Sequence, residues 1–293
     1  MKHSPPRRVL LLAAAALPFA DACSFQPVKA PSTAHDRFAA LETATGGRLG
    51  VAALNTANGA RIDHRRDERF PFSSTFKVLA AAAILKRSAN ESNLLQRRIV
   101  YAKDELVAYS PITGARMGTG MTLAELCAAA LQYSDNTATN LLLKVLGGPA
   151  AVTEFARVIG DEASRLERWE TALNTALPGD PRDTTTPAAM VGNLHRLLLG
   201  DALGRAECEQ LTTWMAGNTT GAARIRAGVP GDWRVADKTG TADYGTTSDV
   251  AVVWPQGRPP IALAVYFTQR DKDAPVRNDV IATATQIVIG AFD

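Results

Sequence analysis

Along this 293-residue chain the spacing of apolar positions changes twice. Residues 36–44 have helical character and end at Gly46-Gly47. Residues 48–55 and 60–64 then read as two strands joined by a turn at Asn58-Gly59. From Ser74 to about Gly217 helix signals dominate. Residues 78–85 are apolar all round, which predicts a central buried helix. Residues 122–131 and 138–146 predict two more helices, the second stopped by Gly147-Gly148. Pro187 opens another that runs through Leu199 to Gly200, and residues 206–215 predict one after it. Strand patterns return at residues 233–239, 249–254 and 261–268, which alternate or run apolar with β-branched residues. Asp273-Ala274-Pro275 is expected to start a last helix, with Val276, Val280, Ile281, Ala284 and Val288 on one face.

A helical block thus interrupts an α/β block, and the terminal segments must meet to complete one sheet. Strands joined by hairpin-length turns imply antiparallel pairing with helices packed on the sheet. The expected fold is α+β: an α/β sandwich with a five-stranded antiparallel sheet and an inserted all-α domain. Its α/β domain would be discontinuous, residues 23–72 and 217–293, around an all-α domain of residues 73–216. The N-terminus of the 78–85 helix would point Ser74 into the seam between the blocks, a usual place for a site.

Composition narrows the compartment more than the chemistry. Hydrophobic content of 46% and charged content of 21% are ordinary for a soluble globular protein. A net charge of +3 is too small and too dispersed to suggest nucleic acid as a partner. Residues 1–22 read as a signal peptide. Lys2, Arg7 and Arg8 are its basic region, residues 9–20 its apolar region, and Ala20-Asp21-Ala22 its small-residue cleavage site. The apolar run is too short to span a bilayer. Its removal takes three positive charges and one negative, leaving +1. The expected location is the periplasm. Arg7-Arg8 fits an ordinary basic region and also a twin-arginine signal, the ordinary reading being favoured. Cys23 follows the cleavage site directly and is a candidate lipid anchor, although Asp21 fits that signal poorly. Of the other two cysteines, Cys127 lies in a helical apolar pattern and reads as a small buried hydrophobe. No Cys/His cluster has metal-ligand spacing, so no metal and no cofactor are expected.

The chemistry starts at Ser74-Thr75-Phe76-Lys77. A serine and a lysine three apart at the start of a helix lie about one turn from each other on one face. The four histidines, His3, His35, His64 and His195, offer no recognisable partner for a nucleophilic serine. Lysine is then the candidate base. Alone the motif is weak: a helix-capping serine followed by a surface lysine looks the same. Three further features change the weighing. Ser134-Asp135-Asn136 precedes a helix, Lys238-Thr239-Gly240 ends a strand, and Glu170-x-x-Leu173-Asn174 lies in an irregular stretch between them.

Together, in this order, these motifs resemble those of the class A serine β-lactamases. The resemblance covers about residues 35–293. Tyr133, the stretch Gly217-Asn218-Thr219-Thr220-Gly221, and Asp237 before the lysine motif look most like the chromosomal Pen-type branch. It implies hydrolysis of penicillins and cephalosporins, small-molecule β-lactams, giving resistance to these antibiotics; a monomer is the default expectation. It implies Ser74 as nucleophile, Lys77 as a candidate base and Ser134 as proton relay to the lactam nitrogen. Asn136 would hold the substrate's side-chain amide. Lys238, Thr239, Gly240 and Arg224 would line the subsite for its carboxylate, and the Thr241 backbone N–H would join that of Ser74 in the oxyanion hole. Tyr109 would wall the cleft. A surface arginine and a loop aromatic are equally ordinary readings of Arg224 and Tyr109.

Glu170, with Asn174, would activate the deacylating water, on a loop closed by an ion pair of Arg168 with Asp183. Whether Lys77 or Glu170, through water, takes the proton of Ser74 stays open. Related D,D-peptidases and β-lactam sensors lack the Glu170-x-x-Leu-Asn174 element, which separates a hydrolase from a protein that stays acylated. Departures matter too. Ala81 stands where many members carry the partner of Cys127. Ser73 and Ala242 replace the cysteine pair frequent in carbapenem hydrolysers, so strong carbapenem hydrolysis is not implied. Thr171 replaces a common proline.

Overall fold

The computed structural model describes residues 1–3 and 33–292. The signal peptide, Arg7-Arg8 and Cys23 fall outside the described residues, apart from the first three positions. Residues 33–292 belong to one compact unit. Five long strands build its main sheet: β1 (Arg48–Asn55), β2 (Arg61–His64), β3 (Arg234–Ala242), β4 (Thr246–Trp254) and β5 (Ile261–Thr268), in the order β2-β1-β5-β4-β3. Every pairing is antiparallel, as expected for this fold class. The terminal blocks meet at β1 and β5, where Gly50 stands opposite Tyr266 and Ala53 opposite Leu263.

Both faces of the sheet are covered, which is why its strands read as near-continuous apolar runs. Residue parity sorts the side chains. Leu49, Val51, Ala53, Val253, Leu263 and Val265 pack under the Ala34–Thr45 and Asn278–Phe292 helices. Ala52, Val250, Val252, Ala262, Ala264 and Tyr266 face the helical block. At the centre of that block lies the Lys77–Ser88 helix, preceded by a 3₁₀ turn over Ser73–Phe76. Positions 77 to 85 are all buried, and each fully buried leucine or isoleucine there contributes roughly 1.5–3 kcal/mol. The Leu123–Gln132, Asn136–Leu146, Ala150–Val158 and Arg205–Ala216 helices surround it.

Two expectations need correcting, and two elements went unpredicted. The last helix begins at Asn278, with Asp271 to Arg277 in a turn and irregular chain, so Val276 is off its face and exposed. Pro275 marks the approach rather than the first turn. The Pro187–Leu194 helix reaches Leu199, but through a π-helical turn over His195–Leu199 that lets Arg196 fold back beside Gly160 and Gly192. The Ala150–Val158 helix was not foreseen, although Val152, Phe155, Ala156 and Ile159 carry a helical period. Its start is hidden behind Gly147, Gly148 and Pro149. A short pairing of Phe70–Pro71 with Thr184–Thr185 was also missed, since two-residue strands have no period to detect.

Candidate active site

Ser74 sits in the 3₁₀ turn ahead of the central helix and is almost buried. The preceding residue, Ser73, has φ of 46°, and β3 runs against this turn. Gly240 allows that approach. A Cβ there would come within 2.4 Å of Ser248 Oγ and 2.9 Å of Ser73 Cβ. Glycine is required by close approach rather than by backbone angle.

Lys77 is fully buried one turn later. Its Nζ donates to Ser134 O at 2.8 Å and to Asn136 Oδ1 at 2.7 Å, and lies 3.4 Å from Ser134 Oγ. It also stands 3.2 Å from Glu170 Oε1. The Lys77 backbone N–H donates to Ser74 O, but its amine is not hydrogen-bonded to the Ser74 hydroxyl; it turns toward the motif on the neighbouring helix and toward the loop. Burial pushes the Lys77 pKa down, while Glu170 pulls it back. From the opposite side Lys238, also fully buried, donates to Ser134 Oγ at 3.1 Å and to its neighbour's carbonyl, Thr239 O, at 2.8 Å. Its pKa is lowered well below the usual lysine value, by burial and then by Lys77. The Ser134 hydroxyl therefore lies between two amines.

Asp135 holds this element in place. Its Oδ1 caps the Asn136–Leu146 helix at Ala138 N and accepts from Thr113 Oγ1, while Oδ2 accepts from Ile112 N and Thr113 N. The Asn136 amide is engaged at both ends, by Lys77 and by Ala108 O at 2.9 Å. Its backbone N–H donates to Tyr109 O, and the Tyr109 ring is 61% exposed at the rim.

Glu170 enters from the irregular loop and is buried. Its Oε2 accepts from Asn174 Nδ2 at 2.7 Å. The loop is closed by Arg168 Nε on Asp183 Oδ2 at 2.5 Å. The other oxygen of Asp183 accepts from the Glu167 and Arg168 backbone N–H groups, and Arg168 also donates to Thr175 Oγ1. One clamp escaped the sequence reading. Asn140, from the Asn136–Leu146 helix, accepts from Glu170 N at 3.0 Å and donates to Glu170 O at 2.9 Å. A polar residue one turn inside a helix carries no signal of such a partner thirty residues away.

The folded chain thus gathers Ser74, Lys77, Ser134, Asn136, Glu170, Asn174 and Lys238 into one cluster. The residues of this chain match the Beta-lactamase enzyme family over positions 33–292. The chain is 55% identical to β-lactamase CTX-M-8 of Citrobacter amalonaticus, over 87% of this chain and 88% of that one. It is 52% identical to β-lactamase Toho-1 of Escherichia coli, over 98% of each chain. The crystal structure of a β-lactamase from Burkholderia ambifaria is 57% identical, with a TM-score of 0.86 over 87% of this chain and 98% of that one. A mutant of the reconstructed class A β-lactamase of the last common ancestor of Gram-negative bacteria is 56% identical, with a TM-score of 0.87 over 89% and 99%.

The chain belongs to the class A serine β-lactamases. It is a hydrolase that opens β-lactams through a serine acyl-enzyme. In this β-lactamase Arg224 is not the solvated surface residue that its sequence equally allowed. It is buried, and its Nη1 donates to Gly240 O and Ser248 O, both at 2.7 Å. Nη2 donates to Thr241 Oγ1 and Nε to Asn278 Oδ1, each at 2.8 Å. Thr239 Oγ1 meets Thr220 Oγ1 at 2.5 Å. Behind β3, Asp237 takes Arg226 Nε and Asn218 Nδ2. The neighbouring Asp249 is fully buried; its Oδ2 accepts from Ile225 N, and its Oδ1 has no hydrogen-bond partner. Burial, then Asp237, raises the Asp249 pKa well above the usual carboxylate range. Cys127 and Cys208 are free thiols, the first buried. Among the described residues no cluster of His, Cys, Asp or Glu suits a metal, and no helix is long and apolar enough to cross a membrane.

Proposed function

We propose that the chain is a periplasmic penicillinase and cephalosporinase of the Pen-type branch that confers resistance to β-lactam antibiotics. Ser74 is its nucleophile and Glu170 its deacylating base. The observation that carries the reading is the position of Glu170. The Oδ1 of Asn174 is a buried acceptor without a hydrogen-bond donor, and Glu170 Oε1 meets only Lys77 Nζ, as an ion pair at 3.2 Å; the two side chains are joined through Glu170 Oε2. A water donating to both would be oriented and activated where an acyl group on Ser74 must be attacked.

In acylation Ser74 Oγ attacks the lactam carbonyl carbon and its proton passes to a base. The backbone N–H groups of Ser74 and Thr241 stabilise the oxyanion. The C–N bond breaks, and the nitrogen takes a proton relayed by Ser134, which Lys77 and Lys238 flank. Three oxygens at 2.7, 2.8 and 3.2 Å from Lys77 Nζ match the three N–H bonds of an ammonium. Resting Lys77 is on this reading charged, and it must give up a proton before accepting that of Ser74. Glu170 Oε1 is the nearest carboxylate for it, so Lys77 acting directly and Glu170 acting through water remain alternative routes. In deacylation the water adds to the ester carbonyl, its proton goes to Glu170, the ester C–O bond breaks and Ser74 Oγ regains a proton.

Lys238, Thr239, Gly240 and Arg224 bind the substrate carboxylate, Asn136 its side-chain amide, and Tyr109 walls the cleft. The ion pair of Arg168 with Asp183 keeps the loop closed. Residues 73–216 form the all-α domain and residues 23–72 with 217–293 the α/β domain, with the cleft at their seam. Residues 1–22 direct export, Cys23 is the candidate lipid anchor, and the enzyme acts as a monomer without a cofactor. Intact-mass measurement of Glu170→Ala after exposure to a penicillin tests the assignment. A long-lived adduct on Ser74 is the expected result, and an adduct lost as fast as in the parent would overturn it.

A further inference from the structure

A second cavity, of about 760 Å³, lies outside this cluster, against the outer side of the loop that carries Glu170. Loop residues 176–181 form one wall, and the ends of β1 and β5 form the other. Four guanidinium groups line it, from Arg48, Arg65, Arg69 and Arg270, against two carboxylates, Glu42 and Asp180. Both carboxylates are already engaged. Glu42 takes His64 Nε2 and Arg65 Nε at 2.8 Å, and Asp180 takes Arg182 Nη2 at 2.8 Å. Arg65 and Arg48 are further balanced by Glu68. Two cations stay without a carboxylate. Arg69 donates only to Ala163 O and Thr184 Oγ1, and Arg270 has no hydrogen bond or ion pair to the described residues. Pro71, Leu177 and Tyr244 supply an apolar wall beside them.

We propose that this cavity binds a small organic dianion, through carboxylate or phosphate groups on Arg69 and Arg270, with the body of the ligand on the apolar wall. Guanidinium forks suit both oxyanions, and two uncompensated positive charges call for two negative ones. The site is distinct from the cleft where Lys238 and Arg224 stand. Its occupant would brace the loop from behind, because Asn174, which bonds Glu170, also accepts from Asp243 N next to Tyr244.

Titration calorimetry on the mature enzyme at low ionic strength tests this with two probes. Phthalate carries carboxylates on an apolar ring, and pyrophosphate carries phosphates alone. Saturable one-site binding of at least one probe is expected, and the stronger probe tells which oxyanion the site prefers. Arg270→Glu, which removes no internal contact, should weaken it by at least about tenfold, the loss of one charge-assisted pair. Arg69→Gln, which keeps a donor for Ala163 O, should weaken it less, and Arg224→Gln should leave it unchanged. The proposal is overturned if neither probe saturates by about 10 mM, a Kd equivalent to only ~2.7 kcal/mol of binding. It is overturned equally if Arg270→Glu keeps the affinity, or if Arg224→Gln abolishes it.

Discussion

The two carriers of the proposed reactive groups are built on different physics. Ser74 and Lys77 sit at the end of a helix whose next eight residues are buried apolar side chains. That helix is held by close packing, which is non-directional and spread over many contacts. Glu170 and Asn174 sit on a loop with one short 3₁₀ turn and few buried apolar side chains, mainly Leu173 and Ala176. The loop is held by individual polar contacts: Asp183 on Arg168 and two backbone N–H groups, and Asn140 on both backbone groups of Glu170. Damage to the helix should therefore appear as lost global stability with the chemistry preserved. Damage to the loop should appear as slow deacylation before the fold is lost.

Opposed substitutions, one in the helix and one in the loop, separate the two kinds of support. Leu79→Ala removes a fully buried side chain from the helix and should cost about 2–5 kcal/mol in urea unfolding. Its kcat should change by less than about threefold, since no polar contact of the site is touched. Asp183→Ala leaves Arg168 and two backbone donors without their acceptor. About 2–4 kcal/mol of local stability should go, discounted because Arg168 is partly exposed. Deacylation should slow about a hundredfold, read as acyl-enzyme accumulation in stopped-flow mass measurements. If Asp183→Ala instead left turnover intact, the loop would be held by its packing and the contrast would fail. Asn140→Ala should slow deacylation about tenfold at nearly unchanged melting temperature, the effect of about 1–2 kcal/mol of lost positioning.

The smallest effect tests the charged layer behind β3. The Asp249 pKa is raised in the folded state, so this group favours folding most at pH below its unfolded value near 3.8. That contribution is lost as pH rises through the higher folded value. Asp249→Asn, uncharged at every pH, should gain about 1 kcal/mol over the parent at pH 8 and less at pH 4, by urea unfolding at both. An equal difference at the two pH values would mean that Asp249 titrates normally.

Legibility in the sequence followed the same division. The 78–85 helix and the five strands announced themselves because burial on all sides, or on both faces, writes apolar runs into the chain. Ser134-Asp135-Asn136 was legible as a motif just before its helix. The Ala150–Val158 helix, with its start masked by glycines and proline, and the true start of the last helix at Asn278 were not. Arg224 was undecidable as a letter, because an arginine becomes buried only if its donors meet acceptors from β3, β4 and the last helix. Asn140 had no signature at all, since its partner is a backbone brought to it by the loop.

Local spacing encodes burial, so the letters alone specify the chemical groups, their order, and the helices and strands that carry them. Which groups meet is a property of the packed fold. The Lys77 amine turns to Ser134, Asn136 and Glu170 rather than to the Ser74 hydroxyl, and Ser134 stands between two buried amines. Those contacts join positions 57 to 104 residues apart, and such distances close only when the whole core packs.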